Sequence, residues 1–274
     1  MIEQLPIVII LITAGVLYAV AVRRVWARTS HRVLPPARVA CFGLGLLVVA
    51  AALMGPLDGM ADSRFSAHML QHVLLILVAA PLFALATPVT ALVVSLPASV
   101  RRQTTTPLLR SRAARVVLSP TFALCSFVIV LWGSHVPALY DAAVENQALH
   151  DLEHLLYLVT AVLFWSAVAG LDIGPPRLPH SARLLYLFIS MAAMEVIGLV
   201  LSVTKHPLYP AYVHAGPGAE LAATRDMHTG GVLMWVSGTI AIPAMVAVLI
   251  SWLADDERRT AIDQARLDAQ LVAD

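Results

Sequence analysis

The chain has 274 residues, 59% of them hydrophobic and only 13% charged, with a net charge of +1 and a mean hydropathy of +0.81. Soluble domains carry about a quarter charged residues, so this composition excludes a soluble enzyme or binding module and predicts an integral membrane protein. The near-neutral balance gives no basis for binding nucleic acid.

Seven stretches are long and apolar enough to span a bilayer as helices, each needing about 20 residues. They lie near 5–22, 38–55, 68–95, 117–134, 150–170, 182–204 and 228–253. The expected fold is an all-α membrane helical bundle over 1–254, with a charged cytoplasmic tail over 255–274. The first stretch ends in Arg23-Arg24 without a small-residue cleavage site, so it reads as a retained helix rather than a signal peptide. The third contains Pro81, which removes a backbone donor and predicts a kink. Cys41 and Cys125 each stand alone in an apolar run and read as core residues, not as a disulfide or a metal motif.

The loops set the orientation. The segments 23–38, 97–116 and 171–183, with the tail after Trp252, hold 15 of the 18 Lys and Arg. The other side holds Arg64, Lys205 and Arg225. The positive-inside rule makes the first side cytoplasmic, with the N-terminus outside and the C-terminus inside. Arg101, Arg102, Arg110, Arg112 and Arg115 then read as topology anchors that meet anionic lipid. Among the basic residues 17 are Arg and one is Lys, which suits a GC-rich bacterial genome.

With that topology, the histidines sort by depth. His31 and His180 fall in cytoplasmic loops and read as solvated. The other eight, His68, His72, His135, His150, His154, His206, His214 and His228, fall at or near the outer boundary. His68/His72 and His150/His154 are i, i+4 pairs, so each pair shares one helix face roughly 5–6 Å apart at Cβ. Two imidazoles so placed can hold a transition metal, and burying them in an apolar helix is costly without a partner. His68, His72, His135, His150 and His154 are the expected metal ligands. Asp62, Asp141 and Glu153 are expected as carboxylates that orient the rings, and His228 is counted with them. Glu195 has no basic neighbour in its own helix and rises about 20 Å from the cytoplasmic end at 1.5 Å per residue; it is expected to balance charge below the site. Met69, Met191, Met194, Met227 and Met234 could add soft ligands or fill the core. Gly230 and Gly231 would let another helix approach closely. His150-Asp151-Leu152-Glu153-His154 also fits the H-x-x-E-H pattern, in which two His hold zinc and Glu is the base of a hydrolase.

Several runs, taken in order, resemble the CtaG/Caa3 family of bacterial polytopic membrane proteins. They are Phe65-Ser66-Ala67-His68-Met69-Leu70-Gln71-His72 followed by Pro81-Leu82, Leu131-Trp132-Gly133-Ser134-His135-Val136-Pro137-Ala138-Leu139-Tyr140-Asp141, His150 to His154, and Gly230-Gly231-Val232-Leu233-Met234-Trp235. The family is linked to assembly of caa3-type cytochrome c oxidase and is distinct from the single-span copper chaperone that shares the CtaG name. The resemblance implies a non-enzymatic role in maturing a haem–copper oxidase, through copper delivered to an oxidase subunit. A periplasmic or extracytoplasmic copper chaperone is a further expected partner. The final segment departs from the family pattern, which more often reads Asp-Gln before the glycines; here Asp226 is followed by Met227, His228 and Thr229. A zinc-dependent membrane hydrolase on His150, Glu153 and His154, and a haem protein with axial His from two helices, stay open as alternatives.

Overall fold

The computed structural model describes residues 4–29, 33–172 and 178–273, with the backbone alone for 265–269 and 271–273. The expectation for His31 falls outside the described residues. The described residues form helices without a strand. They include six stretches long and apolar enough to cross a membrane, and a seventh if one bent pair counts as a span.

In chain order, α1 is Leu5–Thr29, α2 Pro36–Leu53, α3 Pro56–Ala61 and α4 Phe65–Leu74. One turn of π-helix, Leu75–Ala79, leads into α5 (Ala80–Ala86) and α6 (Pro88–Ser95). Short turns cover the basic loop between 98 and 117. After it come α7 (Pro120–Ser134), α8 (Pro137–Glu145), α9 (Gln147–Ala169), α10 (His180–Val203), α11 (Ala219–Gly238) and α12 (Ala241–Ala273). Prolines punctuate this order: α2, α3, α6, α7 and α8 each begin on Pro. A missing N–H costs nothing at the first helical position, and the fixed φ suits it.

The third expected span is present but divided. Just before Pro81 the helix widens. The Ala80 N–H bonds the Leu75 carbonyl, in i→i+5 register. In that register the Ile76 carbonyl would pair with the nitrogen of Pro81, which has no hydrogen. The Trp165 indole N–H takes its place at 2.8 Å. A full break follows at Thr87, which is left-handed (φ 51°) and buried before Pro88. Arg38 Nη1 donates to Thr87 Oγ1 at 3.1 Å, and Asp172 caps α6 by accepting from the N–H groups of Val89 and Thr90.

The last expected span also differs from the sequence reading. α11 starts at Ala219, about two and a half turns before His228, because residues 219–227 are good helix formers but too polar to register as apolar. It ends at Gly238, and α12 runs from Ala241 through the tail as one helix. His180, expected to be solvated, packs on the Trp252 ring and faces Asp255 at 3.4 Å.

Two apolar cores result. One, between α1, α2, α5 and α6, is built around the stacked rings of Tyr18 and Phe42, with Phe83 edge-on. The other joins α4, α7, α9, α10 and α11 through Phe65, Met69, Phe127, Leu131, Phe164, Trp165 and Leu201. Gly198 on α10 and Gly231 on α11 set the closest helix crossing: a Cβ on Gly198 would lie 2.6 Å from the Trp235 nitrogen, and one on Gly231 would lie 2.8 Å from the Gly198 carbonyl oxygen. Gly230 faces the other way, against Phe65 and Met69. Cys41 is half-buried and Cys125 exposed, both as free thiols.

Candidate metal centre

Two helices bring the paired histidines together at one end of the larger core. On α4, His68 and His72 point to one side, their Nε2 atoms 3.0 Å apart. The helix is held at its start by Asp226 of α11, whose carboxylate accepts from the Ser66 N–H at 3.2 Å and from the Ser66 hydroxyl. On α9, His150 and His154 have ring centroids 4.3 Å apart. The Asn146 side chain caps that helix by accepting from the N–H groups of Ala148 and Leu149.

The pairs face each other. Ring centroids are 4.9 Å apart for His68/His150, 5.7 Å for His68/His154 and 5.3 Å for His72/His154. Glu153 lies between them, 3.7 Å from His68 Nε2 and 3.8 Å from His72 Nε2. All five of these residues are buried. Glu153, expected to orient the rings, is therefore placed among the potential ligands. Two sets of three donor atoms each gather within 4.8 Å: His68/His150/His154 and His68/His72/Glu153.

Hydrogen bonding shows which atoms are free to ligate. The Tyr212 hydroxyl donates to the Ala61 carbonyl at 3.1 Å, so its oxygen accepts from His68 Nδ1 at 3.0 Å. Burial pushes the Tyr212 phenol up from its ordinary value, which favours the protonated, donating hydroxyl. His68 therefore presents the lone pair of Nε2 to the cluster. Several buried atoms have no hydrogen-bond partner at all: His72 Nδ1, the Nε2 atoms of His135, His150 and His154, and both Glu153 carboxylate oxygens. Native interiors leave few polar atoms unpaired, and those of His150, His154 and Glu153 belong to residues of the two donor sets, where a cation could satisfy them.

His135, at the end of α7, stands beside both sets and belongs to neither. Its Nδ1 donates to the Leu131 carbonyl at 2.7 Å, which leaves Nε2 as the acceptor. Over the site lies α8, turned 78° from α7; its Tyr140 packs on His68, Tyr209 and Phe65.

The remaining expected groups make other contacts. Asp141 accepts from the Ala211 N–H at 3.3 Å and holds the loop that carries Tyr212, not a histidine. Asp62 is exposed at the end of α3 and acts electrostatically on Tyr212. His228 Nε2 donates to the Thr204 carbonyl at 2.8 Å and ties α11 to the end of α10. Glu195 packs against Gly238. Gly238 is eight residues beyond Gly230, which is level with Met69, so Glu195 sits about 12 Å deeper than that level at 1.5 Å per residue. Among the methionines, Met227 Sδ accepts from the Leu208 N–H and Met69 packs under Gly230.

Sequence reasoning missed the aromatic shell. Tyr157 packs on His72 and bonds Ser134, Tyr209 donates to the His135 carbonyl, and Tyr140 lies 3.4 Å from Tyr212 across their hydroxyls. The only signal available was the close spacing of Tyr209 and Tyr212 in a polar outer loop next to a histidine-rich boundary. Asp226 carried no signal as a helix cap because its partner, Ser66, is 160 residues away.

Comparison with known proteins shows the family. Residues 16–255 match the family model described as cytochrome c oxidase caa3 assembly factor. Uncharacterized proteins of Mycobacterium bovis and Mycobacterium tuberculosis are each 27% identical over 212 residues, covering 75% of this chain and 32% of theirs. One from Mycobacterium leprae is 24% identical over 262 residues, covering 93% of this chain and 40% of its own length. The chain thus spans about a third of the length of the curated relatives it matches. No solved structure matches it. Both histidine pairs, the His135 segment and the glycine segment fall inside the matched region, and the chain belongs to the caa3 cytochrome c oxidase assembly factor family.

Proposed function

We propose that this protein is a non-enzymatic assembly factor of the bacterial cytoplasmic membrane that holds copper near the outer face and passes it to a subunit of a caa3-type cytochrome c oxidase. The observation that carries this reading is the set of buried, unpartnered imidazole nitrogens and carboxylate oxygens around His68, His72, His150, Glu153 and His154. A borderline metal such as copper suits imidazole donors. Two or three protein ligands leave a coordination position that an acceptor can enter, which is what a cargo needs and a structural ion does not. His135 Nε2 stands ready beside the ligands as a relay. An extracytoplasmic copper chaperone would supply the ion from the side where His68 and His150 begin their helices.

Imidazole rings packed 4.3–5.7 Å apart favour a small ion over a porphyrin. The zinc-hydrolase reading keeps one specific support: Glu153 lies within reach of both His68 and His72 with no hydrogen-bond partner, as a general base could.

The test is metal content by mass spectrometry after loading purified, detergent-solubilised protein with Cu(I) or Zn(II). Wild type is compared with His72→Ala/His154→Ala. Stoichiometric copper that is lost in the folded double variant is the expected result. Folded wild-type protein that retains no metal would overturn the reading and leave the histidines as a polar docking surface. Zinc-dependent hydrolysis abolished by Glu153→Gln, with metal retained, would move the assignment to the hydrolase.

A further inference from the structure

The two donor sets overlap in one residue. His68 belongs both to His68/His150/His154 and to His68/His72/Glu153. With Nδ1 committed to Tyr212, it has a single lone pair to offer, on Nε2. One lone pair serves one ion. The two sets therefore cannot be filled together through His68, although an ion could keep His68 while exchanging its other two ligands.

The sets also differ in chemistry. The first offers three neutral imidazoles, a donor set without formal charge that suits a monovalent, soft ion such as Cu(I). The second offers two imidazoles and a carboxylate, and carboxylates suit harder, divalent ions. Its geometry is close to ready. A tetrahedral ion with bonds of 2.0–2.1 Å needs ligand atoms about 3.3–3.4 Å apart. The observed separations are 3.0 Å for His68/His72, 3.7 Å for His68/Glu153 and 3.8 Å for His72/Glu153, so shifts of a few tenths of an ångström complete it once His72 moves its proton from Nε2, which here donates to His68 Nε2, to the unpartnered Nδ1.

We infer that the site has two alternative cation positions that pivot on His68, a three-imidazole position that takes Cu(I) and a two-imidazole, one-carboxylate position that takes a divalent ion. The inference rests on the metal-binding reading above and adds to it that ion class selects position. A transfer protein gains from this arrangement: cargo in one charge state is held by ligands that cargo in the other does not use, and His68 never has to let go.

The experiment uses the full chain in detergent, with Cu(I) measured anaerobically against a chromophoric chelator and Co(II) as the spectroscopic divalent probe. Glu153→Gln should weaken Co(II) by about tenfold or more, the scale set by loss of a group from a metal site, and leave Cu(I) unchanged. His150→Ala should do the reverse, and His68→Ala should weaken both. X-ray absorption on the wild type loaded separately with each ion needs no variant. It should show the outer-shell scattering of three imidazoles for Cu(I) and of two for Co(II). Equal weakening of both ions by Glu153→Gln and by His150→Ala, identical ligand shells, or two ions bound at once per chain would each overturn the two-position inference while leaving metal binding intact. Folded wild type that binds neither ion would overturn the underlying reading itself.

Discussion

The Tyr212 hydroxyl lies 3.0 Å from His68 Nδ1 while donating to the Ala61 carbonyl, and this pairing decides which nitrogen of His68 faces the cluster. A histidine that ligates a metal depends on such a partner for its tautomer and ring angle, and losing the partner typically costs about 10–100-fold in affinity. Tyr212→Phe keeps the ring that packs edge-on to Phe65 and removes only the hydroxyl. Cu(I) affinity is expected to fall within that range, read by chelator competition, with the fold intact by circular dichroism. An unchanged affinity would show that His68 is oriented by packing alone.

Asp226 acts one step further out. By accepting from the Ser66 N–H and hydroxyl it fixes the first turn of α4, two residues before His68. Removing a helix cap costs about 0.5–2 kcal/mol, and Asp226→Ala is expected to lose that much stability in a denaturant titration in mixed micelles. Asp226→Asn retains an acceptor and should lose less. If the two variants are equally stable to wild type, the cap does not hold the helix.

His228 provides the matching negative control. Its Nε2–H is spent on the Thr204 carbonyl, and His228→Gln can make the same donation. Metal content of this variant is expected to equal wild type by mass spectrometry. A loss comparable to that of His72→Ala/His154→Ala would return His228 to the ligand set.

Much of this architecture was legible because the bilayer imposes long apolar runs and helix geometry imposes the i, i+4 spacing. The helix positions and the two histidine pairs followed from those constraints. What escaped depends on contacts between distant segments. Asp226 and Ser66 are joined across 160 residues, and Tyr212 reaches His68 across 144; no local pattern encodes either. Glu195 shows the same limit. Its rise along its own helix was legible, but the lateral neighbour, Gly238, is set by how α10 and α11 cross. Asp141 was misread because acidic residues near a histidine pair in sequence need not face it.

That crossing makes a sharp comparison among glycines. A Cβ on Gly231 would stand 2.8 Å from the Gly198 carbonyl oxygen and 2.8 Å from the Ser202 nitrogen, both backbone atoms that cannot yield without moving a helix. Gly133 has nothing within 4 Å of its would-be Cβ. Overpacking costs about 1–3 kcal/mol, whereas Gly→Ala in an open helix gains about 0.8–1.0 kcal/mol of propensity. Gly231→Ala is expected to destabilise, and Gly133→Ala to be neutral or stabilising, in parallel unfolding titrations. The same sign for both would mean that α10 and α11 are not held at this distance.

The π-turn before Pro81 yields the last prediction. Proline leaves the Ile76 carbonyl without a backbone donor, and in a bilayer no water replaces it. Trp165, buried on α9, supplies the indole N–H at 2.8 Å and so fastens the helix that carries His154 to the span that carries His72. Trp165→Phe keeps an aromatic ring but strands the carbonyl, at a cost of about 1–3 kcal/mol. Trp132→Phe is the control, because Trp132 is exposed on the bundle surface. Hydrogen exchange should accelerate at the amides of residues 75–80 in Trp165→Phe and not in Trp132→Phe. Metal affinity should drop only in the former, because loosening that fastening separates the two histidine pairs. Equal exchange in the two variants would mean that the widened turn is stable without the indole, and that packing alone keeps α4 and α9 in register.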